Sequence, residues 1–268
     1  MIELLPKNLY EQERHSSKGN QLKWNRDGYW YKADYTGYEG LAEYVVSRLL
    51  DKSNFCTEEF VLYDTEEISY KQKNYLGCKS KDFLSHGEQL ITLERLYKKQ
   101  FGTSLYQEMF HLPDVMERAV FLEETVQKLT GIDGFGVYLS KMLTIDGFFL
   151  NEDRHLHNIA VILDEQRRYH LCPFFDQGAA LLSDTSVDYP LEGDIYELID
   201  SVHSKTISSS FEEQMEIAAE LWGDQLKFDF TKSDVKKIIE DEPYYPEDIK
   251  SRVETIIYEQ MRKYAYLF

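Results

Sequence analysis

Asn151-Glu152-Asp153-Arg154-His155-Leu156-His157-Asn158 places an almost wholly polar stretch between two apolar segments. Upstream lies the helical pattern DGFFL, 146–150. Downstream come an apolar strand at 159–163, a polar turn Asp164-Glu165-Gln166-Arg167-Arg168, a second strand at 169–172, and Asp176 within CPFFDQG, 172–178. Asn158 and Asp176 flank this expected β-ribbon, whose two strands bring its ends together. That offers two oxygen ligands for a hard cation such as Mg²⁺, which prefers carboxylate and phosphate oxygens and keeps most of its waters. Asp153, five residues before Asn158, remains to accept a proton or to orient a hydroxyl.

One carboxylate for a nucleophile and two groups for a metal is how phosphoryl-transfer enzymes of the kinase type build a site. A capped turn, in which Asp and Asn satisfy only backbone donors, explains the short motif equally well. The N-terminal region separates the two. Ser16-Ser17-Lys18-Gly19-Asn20-Gln21-Leu22-Lys23 reads as a polar loop whose glycine lets backbone amides approach a phosphate and whose lysines supply charge. Lys32 ends an aromatic strand, Tyr29-Trp30-Tyr31, and a helix at 38–50 follows with Glu39 and Glu43 on one face. A strand lysine paired with a helix glutamate holds nucleotide phosphates in protein kinases.

Taken in order, SSKGNQLK (16–23), the strand lysine, the helix glutamate, DGFFLNEDRHLHN (146–158) and CPFFDQG (172–178) resemble the HipA-like serine/threonine kinase family. The order and approximate spacing fit from about residue 15 to the end. The resemblance implies an α+β, protein-kinase-like two-lobe fold, with a small β-rich nucleotide lobe at 1–84 and a larger, mainly helical catalytic lobe at 85–268. It implies ATP and Mg²⁺ as cofactors and a protein hydroxyl as acceptor. Asp153 becomes the catalytic base, with Arg154 beside it, and Asn158 and Asp176 become the metal ligands. Lys32 becomes the phosphate-binding lysine. Residues 16–23, namely Ser16, Ser17, Lys18, Gly19, Asn20, Gln21 and Lys23, form the phosphate loop, and Ser16 falls where family members autophosphorylate. Glu43 is the preferred partner of Lys32, and Glu39, one turn earlier, is the alternative.

The longer members carry an extra N-terminal subdomain, and this chain reaches the phosphate loop after only fifteen residues, like the family's short form. A small helix-turn-helix antitoxin is the candidate protein partner that the resemblance brings. Two other readings compete with a protein kinase: a kinase-fold enzyme acting on a lipid or small-molecule hydroxyl, and a non-catalytic partner-binding module of the toxin–antitoxin type.

Several side chains have plainer roles to weigh. Arg154 holds the base in place, contacts a carboxylate or phosphate, or simply pairs with a neighbouring acid. His155 and His157 lack the further clustered ligands of a zinc site, so His155 reads as a structural residue near the loop backbone and His157 as a surface or lobe-packing one. Ser183, Thr185, Ser186 and Tyr189 follow Asp176, where phosphorylation could order a kinase loop.

Composition frames these motifs. The 268 residues carry 30 Lys and Arg against 48 Asp and Glu, a net charge of −18, which argues against a sequence-independent grip on nucleic acid or an anionic membrane. The imbalance is not uniform. Residues 1–100 hold 15 basic and 16 acidic residues, while 101–190 hold 6 and 14 and 191–268 hold 9 and 18. The expected nucleotide lobe is therefore a near-neutral exception that can receive phosphates. Three scattered cysteines build no disulfide framework, and no stretch approaches the roughly 18 apolar residues of a membrane span. The expectation is a cytoplasmic protein with no direct nucleic-acid or membrane partner.

Helical periodicity dominates beyond Glu88. Leu90, Leu93, Leu96 and Tyr97 mark one stripe, and Val115, Ala119, Leu122, Val126 and Leu129 another, opened by Pro113 and closed by Gly131. Further helices are expected at 135–149, 211–222, 231–241 and 246–264, with a loop at 177–195.

Overall fold

A computed structural model of the chain describes residues 1–10 and 21–268. The elements run β1 (Ile2–Glu3), β2 (Lys23–Arg26), β3 (Tyr29–Ala33), α1 (Glu39–Leu50), β4 (Tyr63–Tyr70), β5 (Lys73–Lys81), β6 (Gln89–Thr92), α2 (Leu93–Phe101) and α3 (Leu105–Phe110). They continue through α4 (Val115–Thr130), α5 (Phe135–Phe149), β7 (Ala160–Leu163), β8 (Tyr169–Leu171), α6 (Ile195–Ser201), α7 (Phe211–Trp222), α8 (Lys232–Glu240) and α9 (Glu247–Lys263). The architecture is mixed α+β. The chain divides into two compact units: Met1–Phe83 with Phe175–Val202 and Lys227–Phe268, and Leu84–Phe174 with His203–Leu226.

The first unit is built on a five-stranded sheet in the order β1-β4-β5-β3-β2. Asp27 and Gly28, both at positive φ, turn β2 into β3 as a two-residue hairpin whose twist suits the flanking strands. Trp24, Tyr31, Ala33, Ile68 and Tyr70 fill one side of the sheet together with Leu4. Helix α1 buries Leu41, Ala42, Val45, Val46, Leu49 and Leu50, so its whole apolar stripe is used. Gly40 lets it lie close on β5, and Gly77 lets β5 lie close on β3. A Cβ at Gly40 would stand 2.5 Å from the Gly77 carbonyl carbon, and one at Gly77 only 2.1 Å from the Lys32 carbonyl oxygen. The first crossing between units falls between Phe83 and Leu84, and the chain then returns. Residues 175–202 and 227–268 join the first unit because Tyr38 Oη donates to the Leu181 carbonyl at 2.6 Å and Arg252 Nη2 to the Tyr189 carbonyl at 3.1 Å.

The second unit pairs the sheet β6-β7-β8 with helices α2–α5 and α7. Helix α5 is apolar on nearly every face, with Leu139, Leu143, Ile145, Phe148 and Phe149 fully buried, as a central helix must be. It ends at Leu150 in the left-handed conformation, φ 58°, whose N–H returns to the Asp146 carbonyl.

Helices α1, α4, α5, α7, α8 and α9 and strands β7 and β8 lie within a residue or two of their expected places. The stripe opened at Leu90 is corrected. Leu90 lies in β6, which pairs antiparallel with β7, and the helix begins only at Leu93 under a Thr92 cap that accepts the Arg95 N–H. Leu90 and Leu93 are three apart across a strand-to-helix junction, which imitates helical spacing. The expected loop at 177–195 is a loop as far as Asp194; the helix α6 that follows it is unexpected, and Asp194 caps its first turn by accepting the N–H groups of Tyr196 and Glu197. Helix α3 was not foreseen either, since its six residues are too short to show a period.

Candidate active site

In the first unit, Lys32 sits in the middle of the sheet with Cys78 as its register partner on β5 and Lys23 as its partner on β2. Two lysines opposite each other repel, and carboxylates resolve the conflict. Lys32 Nζ donates to Glu43 Oε1 at 2.5 Å and to Asp176 Oδ1 at 2.6 Å, and Lys23 Nζ lies 3.9 Å from the same Asp176 oxygen. Burial acts to lower the Lys32 pKa. The neighbouring carboxylates of Asp176 and Glu43 outweigh it and hold the amine well above its ordinary value. Lys32 is therefore a fixed ammonium, lying 5.3 Å from the Tyr63 ring centre.

The close approach of Gly40 to Gly77 sets the height of α1, and Glu43, three residues on, faces the sheet at Lys32. The other Glu43 oxygen accepts the Gln177 N–H at 2.8 Å, so one buried carboxylate ties the lysine to the backbone beyond Asp176. Asp176 itself holds φ 62°, a conformation uncommon for a non-glycine residue. Glu39 is not the partner of Lys32. Its carboxylate accepts the N–H groups of Tyr35, Thr36 and Gly37, closing the loop that enters α1.

In the second unit the polar stretch is wired from beneath. Asp146, fully buried on α5, accepts from Asn151 Nδ2 at 2.9 Å and from Arg154 Nε at 3.1 Å. Burial raises the Asp146 pKa, while Arg154 and Asn151 oppose the rise. Arg154 Nη1 also donates to the Asn158 carbonyl, and Thr206 Oγ1 donates to the Arg154 carbonyl at 2.7 Å. Asn158 Nδ2 donates to the Asp153 carbonyl at 2.8 Å and lies 3.5 Å from the Asp153 carboxylate. The loop is thus fastened at both ends, while Asp153 and Asn158 stay partly exposed at its surface.

Arg154, counted among the catalytic residues on sequence grounds, makes the ion pair with an acid that was its other expected role. Its guanidinium is buried against Asp146, inside the loop, because a buried carboxylate needs a charged partner. The D-x-x-x-x-N spacing from Asp146 to Asn151 is the signal for that anchor. His155 meets the loop through its backbone, donating to the Asp153 carbonyl, and His157 is exposed. Ser183 is buried, with its hydroxyl on the Gly178 carbonyl, whereas Ser186 is exposed. Gln21 and Lys23 are described; Ser16, Ser17, Lys18, Gly19 and Asn20 lie outside the described residues. Sequence reading missed Asp34, Tyr63, Gln177 and Thr206, whose roles depend on long-range contacts that no local pattern encodes. Among the described residues there is no cluster of three or more His, Cys, Asp or Glu side chains fit to hold a metal by themselves. Nor, among them, is any helix long and apolar enough to cross a membrane.

No family model matches the chain, and no curated protein matches it. Among solved structures it is similar to the crystal structure of a Helicobacter pylori proinflammatory kinase, CtkA, with a TM-score of 0.65 at 16% identity over 99% of this chain and 96% of that one. Similarity across nearly the whole of both chains shows that this α+β protein has a protein-kinase-like two-lobe fold.

Proposed function

We propose that the chain is an ATP- and Mg²⁺-dependent serine/threonine protein kinase of HipA-like type. The observation that carries this reading is the Lys32–Glu43 ion pair, with Asp176 on the same ammonium. A buried lysine held between two acids on a sheet is an expensive arrangement, and a phosphate-binding role explains it. The kinase fold of CtkA supports the same reading.

The donor chemistry fits Mg²⁺. Asp176 offers a partly exposed carboxylate, and Asn158, whose Nδ2 is already donated, offers its amide oxygen. The ion would neutralise charge on the transferring phosphoryl group. Lys32 exchanges its contact with Asp176 for nucleotide phosphate oxygens while Glu43 keeps it in place. Lys23 adds a second positive charge beside it. Asp153 accepts the proton of the acceptor hydroxyl as the hydroxyl oxygen bonds to the γ-phosphorus and the bond to the ADP oxygen breaks. Asn158 holds the Asp153 backbone during that transfer, and Arg154 holds the Asn158 backbone. Gln21, Lys23 and residues 16–20 form the phosphate loop in this reading, with Ser16 its autophosphorylation site and a small helix-turn-helix antitoxin a candidate partner. The protein acts in the cytoplasm.

Purified protein incubated with Mg²⁺ and γ-labelled ATP tests the reading. Label appearing on Ser16 or Ser17, and absent in Asp176→Ala, supports it. Absence of both ATP-induced thermal stabilisation and label transfer overturns it.

A further inference from the structure

Helix α1 is gripped by the C-terminal segment of its own unit at successive heights. At its start, Asp34 accepts the Gly40 N–H at 2.7 Å through Oδ1 and the Tyr245 hydroxyl at 2.6 Å through Oδ2. Gly40 has room for no side chain there, since an added Cβ would stand 2.7 Å from the Tyr245 hydroxyl oxygen. Glu242 in turn fixes Tyr245: its carboxylate accepts the Tyr244 and Tyr245 N–H groups, each at 2.8 Å, and Lys250 donates to the Glu242 carbonyl. One turn along α1 the Tyr44 hydroxyl donates to the Ile238 carbonyl at 3.3 Å, and beyond the helix Lys52 pairs with Asp234 at 3.0 Å. On the other side Tyr38 bridges Leu181 and Arg252.

In geometric order, the chain of contacts runs Lys250, Glu242, Tyr245, Asp34, the first turn of α1, Glu43, Lys32. We propose that Tyr245 is a positioning residue for the phosphate-binding lysine: through Asp34 it locks the first turn of α1 so that Glu43 holds Lys32 in place before any nucleotide arrives. The C-terminal helices are thereby an intrachain clamp on the helix that carries Glu43, and the ion pair is preformed. The consequence for nucleotide rests on the kinase reading; the clamp itself does not.

The test compares wild type with Tyr245→Phe, which removes only the hydroxyl, and with Tyr258→Phe. The latter also removes a C-terminal tyrosine hydroxyl, one bonded to Lys232 and Glu254 and not to α1. Two readouts are taken. Without nucleotide, amide hydrogen exchange of residues 40–43 and acylation of Lys32 by an amine-reactive reagent report the clamp. With nucleotide, calorimetry reports affinity for Mg·ATP and for adenosine. Losing one buried hydrogen bond to a carboxylate should raise exchange in α1 about tenfold in Tyr245→Phe. It should also quicken Lys32 acylation and weaken Mg·ATP about tenfold. Adenosine, which lacks phosphates, should bind equally well, and Tyr258→Phe should change none of these.

A merely structural tyrosine would lower stability without separating ATP from adenosine. Unchanged exchange and acylation overturn the clamp, and changed exchange with unchanged ATP affinity overturns the positioning role. If exchange and acylation move but wild type binds no ATP, the clamp stands and the kinase reading fails. Should Tyr245→Phe fold poorly, Glu242→Gln loosens the same tyrosine through its backbone and is read the same way.

Discussion

Replacing Asp34 with Asn should change how the stability of this protein depends on pH. Asp34 is partly buried between α1 and Tyr245, and its pKa is raised to about 7: loss of solvent is the largest cause, the nearby Glu39 carboxylate adds to it, and hydrogen bonds from Tyr245 and Gly40 only partly offset both. The reference value is 3.8. Below that value the carboxyl is protonated in the folded and unfolded chain alike. Between about pH 4 and pH 7 the unfolded chain releases the proton and the folded protein keeps it, so the contribution of this group to stability falls as pH rises and is gone above the folded value. A shift of about 3 units, at 1.36 kcal/mol each, amounts to about 4 kcal/mol. Asn cannot release that proton. Urea unfolding of both proteins from pH 4 to pH 8 should show wild type losing about 4 kcal/mol relative to Asp34→Asn, with most of the loss between pH 4 and pH 7. Curves that run parallel across that range would refute the assignment of a partly buried, reluctantly ionised carboxyl at the head of α1.

Gly77→Ala should lower stability by about 1–3 kcal/mol, because its Cβ has no room against the Lys32 and Ala33 backbone and would push β5 away from β3; thermal melts check it. Asp146→Asn leaves Arg154 buried without its charge partner and should cost about 3–5 kcal/mol in chemical denaturation, far more than a surface carboxylate. The acidic balance beyond residue 100 should make Lys- or Arg-containing acceptor peptides outcompete acidic ones at low salt, with the preference shrinking as salt rises. Equal rates for the two peptide classes at low salt would count against that reading.

The parts of this protein that were legible from its residues are those encoded over short distances. Helix α4 carries its own cap and apolar period, α5 is a largely apolar run, and the polar loop after it stands out by density. The Lys32–Glu43 choice needed the structure. Glu39 and Glu43 share a helix face in sequence, and only the loop at 35–37, which consumes the Glu39 carboxylate, separates them. The choice among the expected roles of Arg154 needed the structure for a related reason: its guanidinium is held by Asp146, a buried acid eight residues back. The return of 175–202 and 227–268 to the first unit was hidden because Tyr38, Arg252, Tyr245 and Asp34 lie far apart in the chain and meet only after folding.

The most direct measurement is the rate of γ-phosphoryl transfer from Mg·ATP to a serine in a basic peptide, for wild type and Asp153→Asn, with ATP affinity measured on the same preparations. The account predicts that Asp153→Asn keeps its ATP affinity and loses transfer by about 100-fold or more, since a lost general base costs about 10²–10⁴. A wild type that binds ATP but transfers nothing to any hydroxyl, or an Asp153→Asn variant that transfers at the wild-type rate, would contradict it.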